Sequence, residues 1–219
     1  MASLWTAVSD PSALAAIDMG VNFKHFQALS PVLVLTAFGL LILLLDAFQG
    51  KGSREYLSHI AVFGFLVTGF AAHSLWHNQI ARPIFSEMAY MDGFAQAFTA
   101  IFVGAGALTC LMARRYLREH DRNLGEFYVL ILFAVAGMVL VATAADLVTL
   151  FLGLETMSIS GYVLAGFFRK DKRSAEASLK YLILGALSTA LLLYGSALIY
   201  TSTGTTNLAE IGEIFSGRA

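Results

Sequence analysis

The chain alternates between long apolar runs and short polar connections. Each apolar run is roughly 20 residues long, the length that a helix needs to cross a bilayer. The runs show no alternation of period two, and lipid leaves an open backbone without hydrogen-bond partners, so they are predicted to be helices. We number the six predicted spanning helices one to six in chain order: Ser30–Phe48, Ser58–His77, Met91–Met112, Glu126–Ala144, Leu147–Phe168 and Ser178–Tyr200.

This pattern divides the chain into three predicted parts. Residues 1–29 form an N-terminal extramembrane segment, residues 30–200 a six-helix transmembrane region, and residues 201–219 an exterior loop or a truncated tail. The connection "HNQIARPIFSEMAYMD" is predicted to be an exterior loop, in which Pro83 prevents a continuous helix. Near the end, Leu208–Phe215 is amphipathic and is expected to lie along the interface or to begin an extramembrane helix.

The composition supports a membrane protein. Apolar residues make up 58% of the chain and charged residues 13%, with a mean hydropathy of +0.71, whereas about a quarter of the residues are charged in a soluble domain. The predicted fold class is therefore an all-α, polytopic transmembrane helix bundle. A net charge of −1 without a basic face disfavours a nucleic-acid partner. A single cysteine, Cys110, excludes an internal disulfide or a CxxC site, and no metal or cofactor is expected in this chain.

The positive charges predict an orientation. Ten of the Lys and Arg residues lie in the first, third and fifth connections, and three lie on the opposite side: Lys24, Arg82 and Arg218. Since basic loops stay in the cytoplasm, the three basic connections are predicted to be cytoplasmic. The N-terminus and residue 219 would then lie on the exterior side.

Glu155 lies near the middle of predicted helix five, within "DLVTLFLGLETMSISGYVLAGFF". It is roughly 13 and 20 Å from the two ends at 1.5 Å per residue. An ionised carboxylate that faces lipid there would cost at least about 3 kcal/mol. We therefore expect Glu155 to face a polar partner or a wet cavity, or to carry a proton, and each state suits a proton carrier. The structural alternative is a carboxyl group that only joins two helices by a hydrogen bond.

Three polar neighbours of Glu155 are candidates for supporting roles. Ser158 and Tyr162, at i+3 and i+7, share its helix face and could extend a path for protons through ordered water. Close helix packing explains such hydroxyl residues equally well. Asp146 begins the same helix, where capping of the helix N-terminus alone explains a carboxylate.

Lys180 is the candidate in predicted helix six, within "SAEASLKYLILGALSTALLLYG". If this helix starts near Ser174, Lys180 lies roughly 9 Å beyond the start. A partly desolvated lysine near a buried acid can exchange protons. Two structural alternatives stay open: the side chain extends back to the interface, or it pairs with Glu176 at i−4. The depths of Glu155 and Lys180 differ by about 10 Å along the membrane normal.

The second half of the chain carries a resemblance. "GEFY" at the start of predicted helix four, "LFLGLE" in helix five, "SAEASLKY" in helix six and "TGTTNL" after it occur in this order between residues 125 and 208. In these motifs the chain resembles the subunit N family of bacterial NADH-quinone oxidoreductase (respiratory complex I), which belongs to the antiporter-like membrane proteins. Residues 29–124 agree with that family in helix pattern.

The resemblance implies a fold of fourteen transmembrane helices with two inverted five-helix repeats, each containing a broken helix. The present sequence would supply the N-terminal part, its first six helices. Glu155 matches the family's key glutamate, and Lys180 matches a lysine that lies toward its central hydrophilic axis. The family's further lysines, on helices seven, eight and twelve, have no positions here.

The resemblance also implies a function, namely that of a proton-translocating membrane subunit of NADH:quinone oxidoreductase in the bacterial inner membrane. NADH, FMN, iron–sulfur clusters and quinone are expected in other subunits, and the partners would be antiporter-like and small membrane subunits. Two alternatives stay open: a subunit of a cation/proton antiporter or membrane-bound hydrogenase, and a structural half-module that conducts no protons.

Overall fold

The computed structural model describes residues 23–48, 55–76, 80–84, 88–119 and 125–217. Within these ranges the chain forms eight helices and one two-stranded antiparallel hairpin. In chain order the elements are α1 Phe23–Ala28, α2 Ser30–Phe48, α3 Glu55–Trp76, β1 Ile80–Ile84, β2 Ala89–Met91, α4 Gly93–Glu119, α5 Gly125–Thr143, α6 Leu147–Ala165, α7 Lys172–Thr203 and α8 Leu208–Phe215.

Six of the described helices, α2 to α7, are long and apolar enough to cross a membrane, which confirms the predicted helix bundle. The bounds of α2 are those predicted from hydropathy. The largest extensions beyond the predicted runs are those of α4, which continues to Glu119, and of α7, which begins at Lys172. The additional residues are mostly polar or charged, so they lengthen the helices beyond the apolar runs.

Helix α5 is at the centre of the bundle. It packs against α2, α4 and α6 and also contacts α3. The core around it includes Leu35 of α2, Phe65 of α3, and Tyr128, Leu132 and Val139 of α5, each of which is fully buried. Half of the residues in the apolar part of α5 are buried, and this explains why its sequence is apolar on every side.

Helices α5 and α6 are in close backbone contact at two glycines. A Cβ atom added to Gly137 would lie 2.5 Å from the backbone nitrogen of Met157, and one added to Gly153 would lie 2.8 Å from that of Val141. Contacts of this kind are typical of membrane helices, whose association depends on close packing because lipid is as apolar as the side chains. The two glycines therefore set the position of α6 on α5.

The connections lie at two ends of the bundle. The turn between α6 and α7, residues 166–171, lies at one end together with the arginine-rich end of α4, and we call this the basic end. The hairpin β1–β2 and the turns that follow α5 and α7 lie at the other end, which we call the hairpin end. The six-residue helix α1 packs near the hairpin end, where Ala28 joins a small cluster with Leu75 and Met91.

The hairpin forms in the connection that was predicted to be an exterior loop. Ile80 pairs with Met91 and Ile84 with Ala89, with an irregular register between the two pairs. Ala89 also bridges to Ala144, and the amide of Ala145 donates to the carbonyl of Met88 over 2.9 Å. The described part of this connection therefore pairs with itself and with the α5–α6 turn, and its exterior position stays a prediction.

The three predicted parts of the chain remain predictions in their boundaries at residues 29 and 200. Residues 1–22 lie outside the described residues. Helix α7 continues past Tyr200 to Thr203, and the amphipathic stretch Leu208–Phe215 is the helix α8, which is compatible with both of its expected positions.

Candidate functional site

Helix α6 is fixed at the hairpin end by a capped start. The carboxylate of Asp146, which is only 4% exposed, accepts a hydrogen bond from the amide of Thr149. The adjacent backbone pairs with the turn that follows α7: Leu147 donates to the carbonyl of Thr206 over 3.0 Å, and Leu208 donates to that of Ala145 over 2.9 Å. Asp146 is therefore the N-cap of α6, and a further supporting role for it stays a prediction.

Asn207 gives the neighbouring helix a matching cap. Its side-chain oxygen accepts hydrogen bonds from Ala209 and Glu210 over 2.8 and 3.1 Å, and it is 8% exposed. Since Asp146 and Asn207 also face each other in a backbone bridge, the starts of α6 and α8 are joined. This connection fixes α6 along its axis, and therefore also the depth of the side chains that it carries.

We expect Asp146→Ala to destabilise the protein by about 1 kcal/mol, because the amide of Thr149 loses its acceptor in a buried position. Asp146→Asn keeps a capping oxygen and is expected to stay close to the parent in stability. Thermal unfolding of the detergent-purified protein checks both values. A capping role also requires that Asp146→Asn leave proton translocation unchanged, and a large loss in that variant would assign Asp146 a further part in the chemistry.

Glu155 lies near the middle of α6, eight residues after Leu147 and ten before Ala165. It is roughly 12 Å along the helix from the start, at 1.5 Å per residue. Its Oε1 accepts a hydrogen bond of 2.6 Å from the hydroxyl of Thr189 on α7, and both residues are partly buried. The carboxyl group thus faces a polar partner inside the bundle, one of the environments that the sequence predicted.

Thr189 was not identified from the sequence. It belongs to a row on α7 formed by Ser174, Ser178, Gly185 and Thr189, which lie within roughly 60° of one another at 3.6 residues per turn. A row of small and hydroxyl residues at this spacing is the signal that could have identified the face of α7 that contacts α6.

The rest of the α6–α7 contact brings Tyr162 into the same interface. Ser174 donates to the carbonyl of Ala165 over 2.7 Å, and Ser178 donates to that of Tyr162 over 2.9 Å. The buried ring of Tyr162 meets the ring of Tyr181 edge-on, with centroids 4.7 Å apart. A Cβ on Gly185 would lie 1.8 Å from the Tyr162 hydroxyl. Tyr162 therefore fills the space left by this glycine. It lies seven residues, or about two helical turns, along α6 from Glu155.

The other hydroxyl residues near Glu155 bond within their own helix. Thr156 donates to the carbonyl of Leu152 over 2.7 Å, and Ser160 donates to that of Thr156 over 2.8 Å. Ser158 is partly buried and has no hydrogen bond within the described part of the chain. The structure thus joins Glu155 to Thr189, and it joins Tyr162 but not Ser158 to α7.

Lys180 lies on the side of α7 that is turned away from α6. It is eight residues into the helix, because α7 begins at Lys172 and not near Ser174 as assumed above. Its ammonium group pairs with Glu176 at i−4, and the side chains are 70% and 62% exposed. Along the helix, Lys180 is about 14 Å from Thr189. The structure therefore does not bring Lys180 close to Glu155. Of the two structural alternatives for Lys180, it shows the ion pair with Glu176.

The described residues contain no candidate metal centre. Among those residues, no group of three His, Cys, Asp or Glu side chains could hold a metal ion. The site that remains is the Glu155–Thr189 pair in the middle of two adjacent membrane helices. A carboxyl group there can bind or release a proton while the hydroxyl stays hydrogen-bonded to it.

Comparison with known proteins shows that this chain is similar to subunits of respiratory membrane complexes. Residues 144–218, which contain α6, α7 and α8, match a family model described as "NADH:quinone oxidoreductase/Mrp antiporter, TM". NADH-quinone oxidoreductase subunit N of Trichlorobacter lovleyi is 43% identical over 190 residues, which cover 87% of this chain and 39% of that protein. The chain is homologous to subunit N of the NADH-quinone oxidoreductases.

Another relative and a solved structure agree with this homology. F(420)H(2) dehydrogenase subunit N of Methanosarcina mazei is 36% identical over 196 residues, covering 87% of this chain and 40% of that protein. A chain of respiratory complex I from Thermus thermophilus superposes with a TM-score of 0.67 at 28% identity, over 81% of this chain and 38% of that one. The present sequence spans about two fifths of the length of the curated relatives it matches.

These findings confirm the resemblance to subunit N and the membrane fold. The chain is an integral membrane protein with the helix arrangement of an antiporter-like subunit. The residues proposed to carry protons and the orientation of the loops remain predictions.

Proposed function

We propose that this chain is a proton-translocating part of a membrane subunit of NADH:quinone oxidoreductase, in which quinone reduction elsewhere in the complex drives proton movement. One observation carries the proposal: a carboxyl group lies near the middle of a helix that is long and apolar enough to cross a membrane, and it is hydrogen-bonded across the interface with a second such helix. Buried ionisable groups within membrane helices are costly and usually functional. The homology to subunit N of known oxidoreductases supports the choice of reaction.

The Glu155–Thr189 pair suits a group that changes its protonation state. A hydroxyl group both donates and accepts hydrogen bonds. Thr189 donates to Glu155 when the carboxylate is charged, and after rotation it can accept from the protonated acid. Neither state then leaves the carboxyl group without a partner in a region where an unsatisfied polar group costs several kcal/mol. The partner therefore lowers the cost of both states.

Lys180 is the second group that we propose to carry charge. It lies about 14 Å along α7 from Thr189 and on another face of the helix, so it would exchange protons with Glu155 through ordered water. Glu176 holds the ammonium group in an exposed pair, which contributes little to stability. This weak pairing leaves Lys180 free to change partners. Ser158 and Tyr162 are the proposed supporting residues on the side of Glu155.

The proposal implies partners and a location. NADH, FMN, iron–sulfur clusters and quinone would be bound by other subunits, and this chain would carry out no redox chemistry itself. It would contact other antiporter-like and small membrane subunits in the bacterial inner membrane. The basic end would face the cytoplasm, and the hairpin end, with the N-terminus and residue 219, the exterior.

A second candidate keeps the membrane role and changes the electron donor. The F(420)H(2) dehydrogenase subunit N of Methanosarcina mazei, at 36% identity, favours it. In that case the chain would translocate protons in a complex that oxidises another donor. The family description also names an antiporter, for which no electron donor would be needed.

Proton uptake by inside-out membrane vesicles tests the proposal. Deletion of the gene is expected to abolish the quinone-dependent uptake that NADH drives through this complex, while uptake driven by ATP hydrolysis, the control for leaky vesicles, is unchanged. Loss of uptake with another reduced donor, and not with NADH, would replace the proposal by the second candidate. Loss of a sodium-driven proton exchange in the absence of any donor would identify an antiporter instead.

A further inference from the structure

An open cavity of about 590 Å³ lies at the basic end, between α2, α5 and α6. Its apolar wall includes Leu43 of α2, Val129 and Phe133 of α5, and Val163 of α6. Leu43 and Val163 are substantially exposed, so the cavity opens to the outside of the described bundle. An apolar cavity open to the membrane takes up hydrocarbon more favourably than water.

The cavity changes from apolar to charged over a short distance. Its charged lining consists of Glu126 in the first turn of α5 and of Arg169 and Lys170 in the turn that follows α6. Phe133 is seven residues further into the bundle than Glu126, about 10 Å along the helix. The cavity is therefore polar near the end of the bundle and apolar further in, the order in which a phospholipid carries its headgroup and its acyl chains.

The charges at the rim favour an anionic group. Arg169 and Lys170 are exposed, and within the described residues neither forms an ion pair. The carboxylate of the next residue, Asp171, accepts from the amide of Arg173 at the start of α7 and does not line the cavity. Two positive charges therefore face one negative charge, that of Glu126. Arginine is suited to phosphate because its planar donors bind two oxygens at once.

We propose that this cavity binds an anionic glycerophospholipid of the phosphatidylglycerol type. Its phosphate lies between Arg169 and Lys170, a headgroup hydroxyl donates to Glu126, and the upper part of an acyl chain lies along Val129, Phe133 and Val163. Basic pockets between membrane helices on the cytoplasmic side are known to bind anionic headgroups. The cavity extends over only about 10 Å of the bilayer, whereas a partner's transmembrane helix would need a groove along the whole span of about 30 Å.

Native mass spectrometry of the purified membrane assembly tests this proposal. The assembly is delipidated in detergent and titrated with dioleoylphosphatidylglycerol or dioleoylphosphatidylcholine. Each basic residue near an anionic headgroup strengthens binding about fivefold, so Arg169→Gln with Lys170→Gln is expected to weaken phosphatidylglycerol binding about thirtyfold. Phosphatidylcholine binding is expected to be weaker in the parent and to change little.

Lys172→Gln with Arg173→Gln is the matched control, because it removes the same charge from adjacent exposed positions that do not line the cavity. An equal loss in this control would overturn the proposal in favour of general attraction to a basic surface. Val163→Trp fills the apolar part and leaves the charges in place, so it should also displace the lipid. Unchanged binding in Val163→Trp would overturn the acyl-chain position.

A photoreactive amino acid at position 163 identifies the occupant in the native membrane. The proposal predicts a cross-link of phospholipid mass. A cross-link to another polypeptide would overturn it and assign the cavity to a partner's helix. The lipid assignment does not depend on the proposed proton function, because neither measurement uses turnover.

Discussion

Replacing Glu155 with glutamine is expected to reduce the proton flux through this chain more than about tenfold, because groups that transfer protons contribute typically 10²–10⁴-fold to rates. Glutamine has nearly the same shape, and its carbonyl oxygen can still accept from Thr189, whose hydroxyl lies 2.6 Å from Oε1 in the parent. It cannot bind and release a proton. The measurement is the number of protons moved per electron pair in vesicles that contain the intact assembly.

Two variants serve as controls for this prediction. Glu155→Asp keeps a titratable carboxyl group and is expected to retain part of the flux. Thr189→Val removes the hydrogen bond but not the acid, so it should have a smaller effect than Glu155→Gln. Assembly and electron transfer should persist in all three variants. If Glu155→Gln assembled normally and pumped like the parent, the carboxyl group would be a structural link between α6 and α7.

Replacing Gly137 with alanine is expected to have the largest effect on folding. The added Cβ would lie 2.5 Å from the backbone nitrogen of Met157 and 2.7 Å from the carbonyl oxygen of Gly153. Backbone atoms cannot rotate away as a side chain can, so α5 and α6 must separate. Overpacking of this kind costs roughly 1–3 kcal/mol or more, a large fraction of a marginal stability. The amount of assembled protein recovered from membranes should fall severalfold.

Gly104→Ala is the matched control for this substitution. Gly104 is also within a membrane helix, α4, but an added Cβ there has no neighbour within 4 Å. Alanine has the higher helix propensity by roughly 1 kcal/mol, so this variant should be recovered as well as the parent or better. Normal recovery of Gly137→Ala would contradict the close α5–α6 contact described above.

The helices that the sequence predicts well are those whose boundaries coincide with a change in polarity. Helix α2 begins after a polar segment and ends beside one, so hydropathy alone locates Ser30 and Phe48. Helix α7 begins six residues before the predicted Ser178, because its first turns are charged and hydropathy does not register them. Asp171, whose side chain accepts from Arg173, was the capping signal for the true start.

The hairpin at residues 80–91 has no comparable signal. Its strands are five and three residues long, and Pro83 argues against a strand interior. They are held by contacts distant in sequence, namely the pairing of Ala89 with Ala144 and the hydrogen bond from Ala145 to Met88. Local patterns do not contain such contacts, so the sequence predicted a loop.

The sequence predicts where Glu155 lies along its helix, but not which side chain it is hydrogen-bonded to. The position of Glu155 along α6 follows from counting residues. Its contact with Thr189 depends on the rotation of α7, which the row Ser174, Ser178 and Gly185 sets by packing against α6. The same rotation places Lys180 on the opposite side of α7. Residue counting had already separated Glu155 and Lys180 by about 10 Å in depth, and the rotation of α7 separates them further.

The central claim is that Glu155 binds and releases a proton during turnover. Infrared difference spectroscopy of the assembly, recorded between its oxidised and reduced states, tests it most directly. We expect a carbonyl-stretch band of a protonated carboxylic acid that changes between the two states, shifts in Thr189→Val because the hydrogen bond is lost, and is absent in Glu155→Gln. A difference spectrum in which Glu155→Gln retains every carboxylic-acid band of the parent would contradict the claim.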